Sequence, residues 1–185
     1  MSTAASQLVS SAKLGPLVVM GVSGCGKTSV GKLLASQLGY HFIEGDSRHP
    51  LANVEKMRAG IALDDGDRWP WLENLGDELK ASTETVISCS ALKRSYRDLL
   101  RLRAAGPVTF VFLQGSRATL AERLAARKGH YMPLSLLDSQ LQTLELPGAE
   151  RDVITIEIDQ PVERIASTAI AHAATMTYRR GDITI

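Results

Sequence analysis

Gly21-Val-Ser-Gly-Cys-Gly-Lys-Thr28 sets two glycines four residues apart and follows them with a lysine and a hydroxyl residue. That spacing suits the binding of phosphate. Gly21, Gly24 and Gly26 allow backbone conformations in which N–H groups turn inward around phosphate oxygens. Val22, Ser23 and Cys25 supply further amides, and Lys27 to Ser29 open a helix whose positive end faces the same place. In this arrangement Lys27 reaches the β- and γ-phosphates of ATP, and the Thr28 hydroxyl ligates Mg²⁺.

Phosphoryl transfer needs a carboxylate for the acceptor proton and cations for the developing charge. Asp46, after a short apolar segment, is the candidate base; its other reading is a helix cap or turn. Arg123 and Arg127 are four residues apart on one helix face, placed to close over ATP together with Lys128, or to sit favourably at a helix C-terminus. Arg94, Arg97 and Arg101 also recur on one face and read as a solvated stripe. Asp64-Asp-Gly-Asp67 lacks the spacing and the glutamate of a calcium loop, and reads as a polar turn. Trp69 and Trp71 flank Pro70 and fit core packing or a cover over the site. His41 and His172 look structural. His49 and His130 fit polar contacts to a substrate or a surface role.

The elements that must position these residues alternate. Leu17 to Met20 is an apolar strand; Val30, Leu33, Leu34 and Leu38 follow at helical spacing and stop at Gly39. His41–Glu44 is a strand, so Asp46 falls at a carboxyl end, where ligands collect in α/β sheets. A short helix over 51–59 and a second from Trp69 to Lys80 precede the strand Thr85–Cys89. A helix over 93–104, the strand 108–113, a helix capped by Ser116, a helix over 135–144, the strand 153–158 and a C-terminal helix from Pro161 to Tyr178 complete the order. Five strands with intervening helices predict an α/β fold, a three-layer sandwich around a five-stranded parallel sheet. Residues 47–82 form a substrate-binding insert, and 127–147 a lid region.

With 185 residues the chain suits a single domain over 14–185 after a flexible tail over 1–13. A net charge of +1 gives no reason to expect nucleic acid or an anionic membrane as partner. No apolar run is long enough to span a bilayer, and two cysteines at unrelated positions fit reduced thiols in the cytoplasm. Cys25 sets a thiol beside the phosphates, so thiol modification is expected to lower activity.

The wording of the inserts is more specific than their periodicity. Glu44-Gly-Asp46-Ser-Arg-His49-Pro50, Asn53-Val-Glu-Lys56-Met57-Arg-Ala-Gly60 and Leu63-Asp-Asp-Gly-Asp67-Arg68-Trp-Pro70-Trp71-Leu72 resemble successive signatures of the gluconokinase family. Cys89-Ser-Ala-Leu-Lys93, Tyr96-Arg97-Asp98, Arg127-Lys-Gly129-His130-Tyr-Met132, Ser139-Gln140 and Leu144-Glu145 continue the likeness from about Leu17 to Pro147. Cys25 and Thr28 depart from it, since serine is frequent at both positions. The resemblance implies an adenylate-kinase-like P-loop kinase fold and transfer of the ATP γ-phosphoryl group to the primary hydroxyl of D-gluconate. The product, 6-phosphogluconate, enters the pentose phosphate pathway, and a cytosolic homodimer is implied as well. Gluconate would be held by Asp46, His49 and Arg68, with Lys56 and Gln140 beside them. The rival readings are another small-molecule kinase of this fold, such as a shikimate-kinase-like enzyme, and an ATP-binding regulatory module without transfer. A GTPase lacks support because no Asn-Lys-x-Asp sequence is present.

Overall fold

The structure is a computed structural model and describes residues 13–126 and 133–181. Five parallel strands form one sheet in the order β2-β3-β1-β4-β5: β1 Leu17–Met20, β2 His41–Glu44, β3 Thr85–Cys89, β4 Thr109–Gln114 and β5 Val153–Glu157. β1 lies at the centre, paired with β3 from Leu17 against Val86 and with β4 from Leu17 against Thr109. All four of its residues are buried apolar side chains, as a strand covered on both faces requires.

Seven α-helices connect the strands among the described residues: α1 Lys27–Leu38, α2 Leu51–Arg58, α3 Asp65–Ala81, α4 Arg94–Ala104, α5 Arg117–Ala126, α6 Leu134–Thr143 and α7 Val162–Gly181. The chain leaves β1 toward one edge of the sheet and later leaves β3 toward the other. Right-handed crossovers then put helices on opposite faces, which gives the three layers. α1 accordingly packs on α7, and α3 packs on α4. The two directions of travel part between β1 and β3, so the carboxyl ends of these strands border the crevice where such sheets bind ligands.

The structure overturns three expectations. Asp64–Asp67 is not a free turn. Asp64 accepts a hydrogen bond from Asp67 N at 2.9 Å, Asp64 N donates to Asp67 Oδ2 at 3.0 Å, and this reciprocal cap starts α3 at Asp65. The arginine stripe on α4 is not solvated either. Arg97 is fully buried, and Arg101 is largely covered. Both converge on Glu150, at 2.6 and 2.5 Å, and Arg101 also binds Asp152 at 2.8 Å. Arg94 alone of the three stays exposed. His41 and His172 are exposed surface residues rather than packed ones.

Glu150 is the acidic centre of this network. Burial pushes its carboxyl up, and hydrogen bonds from Arg97 and Arg101 outweigh burial and hold it below the usual range. Replacing Glu150 with alanine leaves a buried guanidinium without its carboxylate. Arg101 keeps Asp152 and Asp98, so the expected loss of unfolding free energy in urea titration is about 3 kcal/mol, at the low end for a broken buried pair. A loss below about 0.5 kcal/mol would place the network with weak surface pairs.

Candidate active site

The phosphate loop leaves β1 with Gly21, Gly24 and Gly26 at φ 139°, 85° and 98°, conformations that side chains disfavour. A Cβ on Gly21 would also lie 2.9 Å from both Cys25 Sγ and the Leu113 carbonyl oxygen. Cys25 is therefore a packing residue beneath the loop. It is 1% exposed, and burial pushes its thiol up, with Lys27 opposing; a reactive thiolate does not fit this position. Cys89 is likewise buried, its thiol pushed up to about 12 by desolvation. The expected sensitivity to thiol reagents loses its physical basis.

Lys27 folds over the loop, Nζ donating to the carbonyls of Gly21 and Val22 at 3.1 and 3.2 Å. Thr28 Oγ1 donates to Glu44 Oε2 at 2.6 Å, and Ser88 Oγ donates to the other Glu44 oxygen. Sequence pattern alone assigns Glu44 no role, although a carboxylate as the last residue of a strand beside the loop is the signal for it. Ser29 is exposed on the first turn of α1. Arg123 reaches the same region from α5, donating to Ile158 O at 2.8 Å, with Nη1 4.0 Å from where a Gly26 Cβ would stand. Arg127, Lys128 and His130 lie outside the described residues, as does the first part of the lid region.

Asp46 lies exposed in a single 3₁₀ turn, Gly45–Arg48, that follows β2 directly. Gly45 is required there, since a Cβ would come within 2.0 Å of the Ser88 carbonyl oxygen. Its N–H donates to Ser88 Oγ at 3.1 Å, and its carbonyl accepts from Trp71 Nε1 at 2.8 Å. Buried Trp71 thus fixes the turn and also stacks on His49, ring centroids 4.0 Å apart. Trp69 instead stays partly exposed, edge-on to Tyr96.

Arg68 is 7% exposed, yet no carboxylate lies within ion-pair distance of it among the described residues. Its guanidinium contacts Leu63 O at 3.4 Å and Ser90 Oγ at 3.5 Å and lies 5.9 Å from the Tyr96 ring centroid. Lys56 is already engaged, its ammonium 2.6 Å from Asp67. Gln140 of α6 sits at the phosphate loop, where its Oε1 accepts from Ser23 N at 2.7 Å. The structure thus gathers Lys27, Thr28, Arg123 and Gln140 at the loop, and Asp46, His49 and Arg68 at the insert.

For a magnesium ion, Thr28 and Glu44 present oxygen donors side by side, the chemistry a hard cation takes. No cluster of three or more His, Cys, Asp or Glu is present among the described residues. A site of that kind suits an ion that completes its shell with phosphate and water.

The family model described as an AAA domain matches residues 17–147. The gluconokinase of Gluconobacter oxydans is 50% identical over 84% of this chain and 89% of its own length. The thermoresistant gluconokinase of Escherichia coli is 45% identical over 83% of this chain and 90% of its own. Among solved structures, a gluconokinase from Sinorhizobium meliloti superposes with a TM-score of 0.87 at 50% identity, covering 92% of this chain and 98% of that one.

Burial lowers the pKa of His49 most, Asp46 opposes and Arg68 adds to the lowering, so the ring is pushed down to about 4. The unfolded chain takes up this proton near pH 6.5. Between about pH 4 and 6.5 the unfolded state therefore binds more protons, so stability rises with pH across that window and is flat above it. Thermal melts of wild type and His49→Gln over pH 4–7 are expected to show a shallower acid limb in the variant. Superimposable limbs would contradict it.

Proposed function

The chain belongs to the gluconokinase family, and we propose on that footing that its site transfers the γ-phosphoryl group of ATP to the primary hydroxyl of D-gluconate, giving 6-phospho-D-gluconate. The observation that carries the acceptor assignment is Arg68. A buried guanidinium without a carboxylate is costly unless an anion reaches it, and gluconate brings one carboxylate together with several hydroxyls. Arg68 would take that carboxylate, His49 would accept or donate one hydrogen bond as a neutral ring, and Asp46 would take the proton of the attacking hydroxyl. Lys56 would act through Asp67, orienting the start of α3, and Gln140 from the phosphate side.

In the donor half, the inward amides of Gly21 to Ser29 and the Lys27 ammonium would hold the phosphates. Thr28 and Glu44 would hold Mg²⁺, which when bound would neutralise phosphate charge. As the gluconate oxygen bonds to phosphorus, the bond to the ADP oxygen breaks and its electrons pass to ADP. Arg123, with Arg127 beyond the described segment, would offset the charge that develops. The adenine is assigned to Asp159-Gln160-Pro161, supported by the bond from Arg123 to the neighbouring Ile158 carbonyl. A cytoplasmic homodimer belongs to the same proposal. No helix among the described residues is long and apolar enough to cross a membrane.

The shikimate-kinase-like alternative is not favoured, given relatives at 45–50% identity that are gluconokinases. Asp46→Asn tests the mechanism. Removal of the general base is expected to lower kcat by about 10²–10⁴-fold while ATP affinity, measured by calorimetry, stays within about twofold. Near-wild-type turnover in Asp46→Asn would eliminate Asp46 as the base.

A further inference from the structure

The loop from Ser90 to Lys93, between β3 and α4, touches both halves of the site. The Ser90 carbonyl accepts from Gly21 N, the first amide of the phosphate loop, at 3.3 Å. Ser90 Oγ faces the Arg68 guanidinium at 3.5 Å, and Lys93 Nζ pairs with Asp65 at the start of α3 at 2.7 Å. Within this loop Ala91 adopts φ 42°, a left-handed conformation that an L side chain rarely takes. Neighbouring structure has to hold it there.

Arg97 is what holds it. This fully buried side chain uses all five of its N–H donors. Nη1 donates to Ala91 O at 2.9 Å and Leu92 O at 3.1 Å, Nη2 to Glu145 O at 3.1 Å and Glu150 Oε1 at 2.6 Å, and Nε to the Glu150 carboxylate at 3.0 Å. The Leu92 carbonyl also accepts from Glu145 N at 2.9 Å. The clamp therefore joins the strained loop to the segment after α6, the helix whose Gln140 rests on Ser23 N. Such a fork cannot be reproduced by a lysine, whose ammonium is a point charge with three donors.

We propose that Arg97 is a positioning residue for phosphoryl transfer: from behind the site it fixes the Ser90–Lys93 loop, and so the register between the phosphate loop and Arg68. This rests on the reading of Arg68 as the acceptor-side anion ligand. Arg101 is the internal control. It shares Glu150 with Arg97, but its side chain donates to Asp98, Glu150 and Asp152 and to no carbonyl of the loop.

The test compares Arg97→Lys with Arg101→Lys at a temperature where both are folded. Arg97→Lys is expected to lower kcat about tenfold or more and raise the gluconate KM about fivefold, as misplaced reacting groups do. Arg101→Lys is expected to stay within about twofold on both, though it melts earlier. Amide hydrogen exchange at Gly21, measured without substrate, should quicken in Arg97→Lys and not in Arg101→Lys. Should Arg97→Lys fail to fold, the double variant Arg97→Gln/Glu150→Gln leaves no unpaired buried charge and is expected to show the same losses. Wild-type kinetics and wild-type Gly21 exchange in a folded Arg97 variant would overturn the proposal, as would equal kinetic losses in Arg101→Lys. Altered Gly21 exchange in an enzyme whose wild type ignores gluconate would instead fault the substrate reading and leave the role of Arg97 standing.

Discussion

The carboxylate of Glu44 fastens three pieces of chain together beside the phosphate loop. It accepts from Thr28 at the start of α1 and from Ser88 at the end of β3, while itself ending β2. The next residue, Gly45, lies so close to the Ser88 carbonyl that any side chain would force the two strands apart. From that contact the geometry follows outward. The 3₁₀ turn carrying Asp46 has nowhere to go but toward the crevice, and Trp71 secures it by donating to the Gly45 carbonyl. The same indole then stacks on His49, so one buried aromatic sets both the turn and the ring beside it.

Electrostatics divides the site into two unequal halves. The proposed donor side consists of backbone amides with Lys27 and Arg123 at its margin, and would act as a preorganised field that costs little reorganisation when charge moves. On the acceptor side the buried guanidinium of Arg68 has no carboxylate within ion-pair distance among the described residues, whereas Lys56 and Lys93 are each neutralised by an aspartate of the α3 N-terminus. The proposed specificity for a sugar acid lies in that difference. A buried cation without an anion favours ligands that bring one and penalises those that cannot.

Much of this was legible in the sequence because it depends on local chain chemistry. The glycine spacing before Lys27, the apolar run Leu17 to Met20, Gly39 as a helix stop and Ser116 as a cap, confirmed by Thr119 N donating to Ser116 Oγ at 3.1 Å, each follow from neighbours a few residues away. What escaped depends on distant partners. Arg97 and Arg101 look solvated until Glu150 and Asp152 arrive from about fifty positions downstream. Asp64 to Asp67 reads as a turn because reciprocal capping by aspartate at both positions resembles turn chemistry until the helix behind it is seen. Gln140, grouped by resemblance with gluconate, reaches Ser23 across 117 residues. Cys25 reads as a thiol beside the phosphates, yet its side chain packs beneath Gly21.

The proposed chemistry turns on which oxygen receives the phosphoryl group. Proton-coupled ³¹P NMR of the product formed from ATP and D-gluconate reads this directly. A new phosphomonoester resonance split into a triplet by the two protons of one methylene group is the predicted result, because Asp46 would deprotonate the primary hydroxyl while Arg68 holds the carboxylate at the far end. A doublet from a secondary hydroxyl, or loss of ATP with only free phosphate appearing, would contradict it.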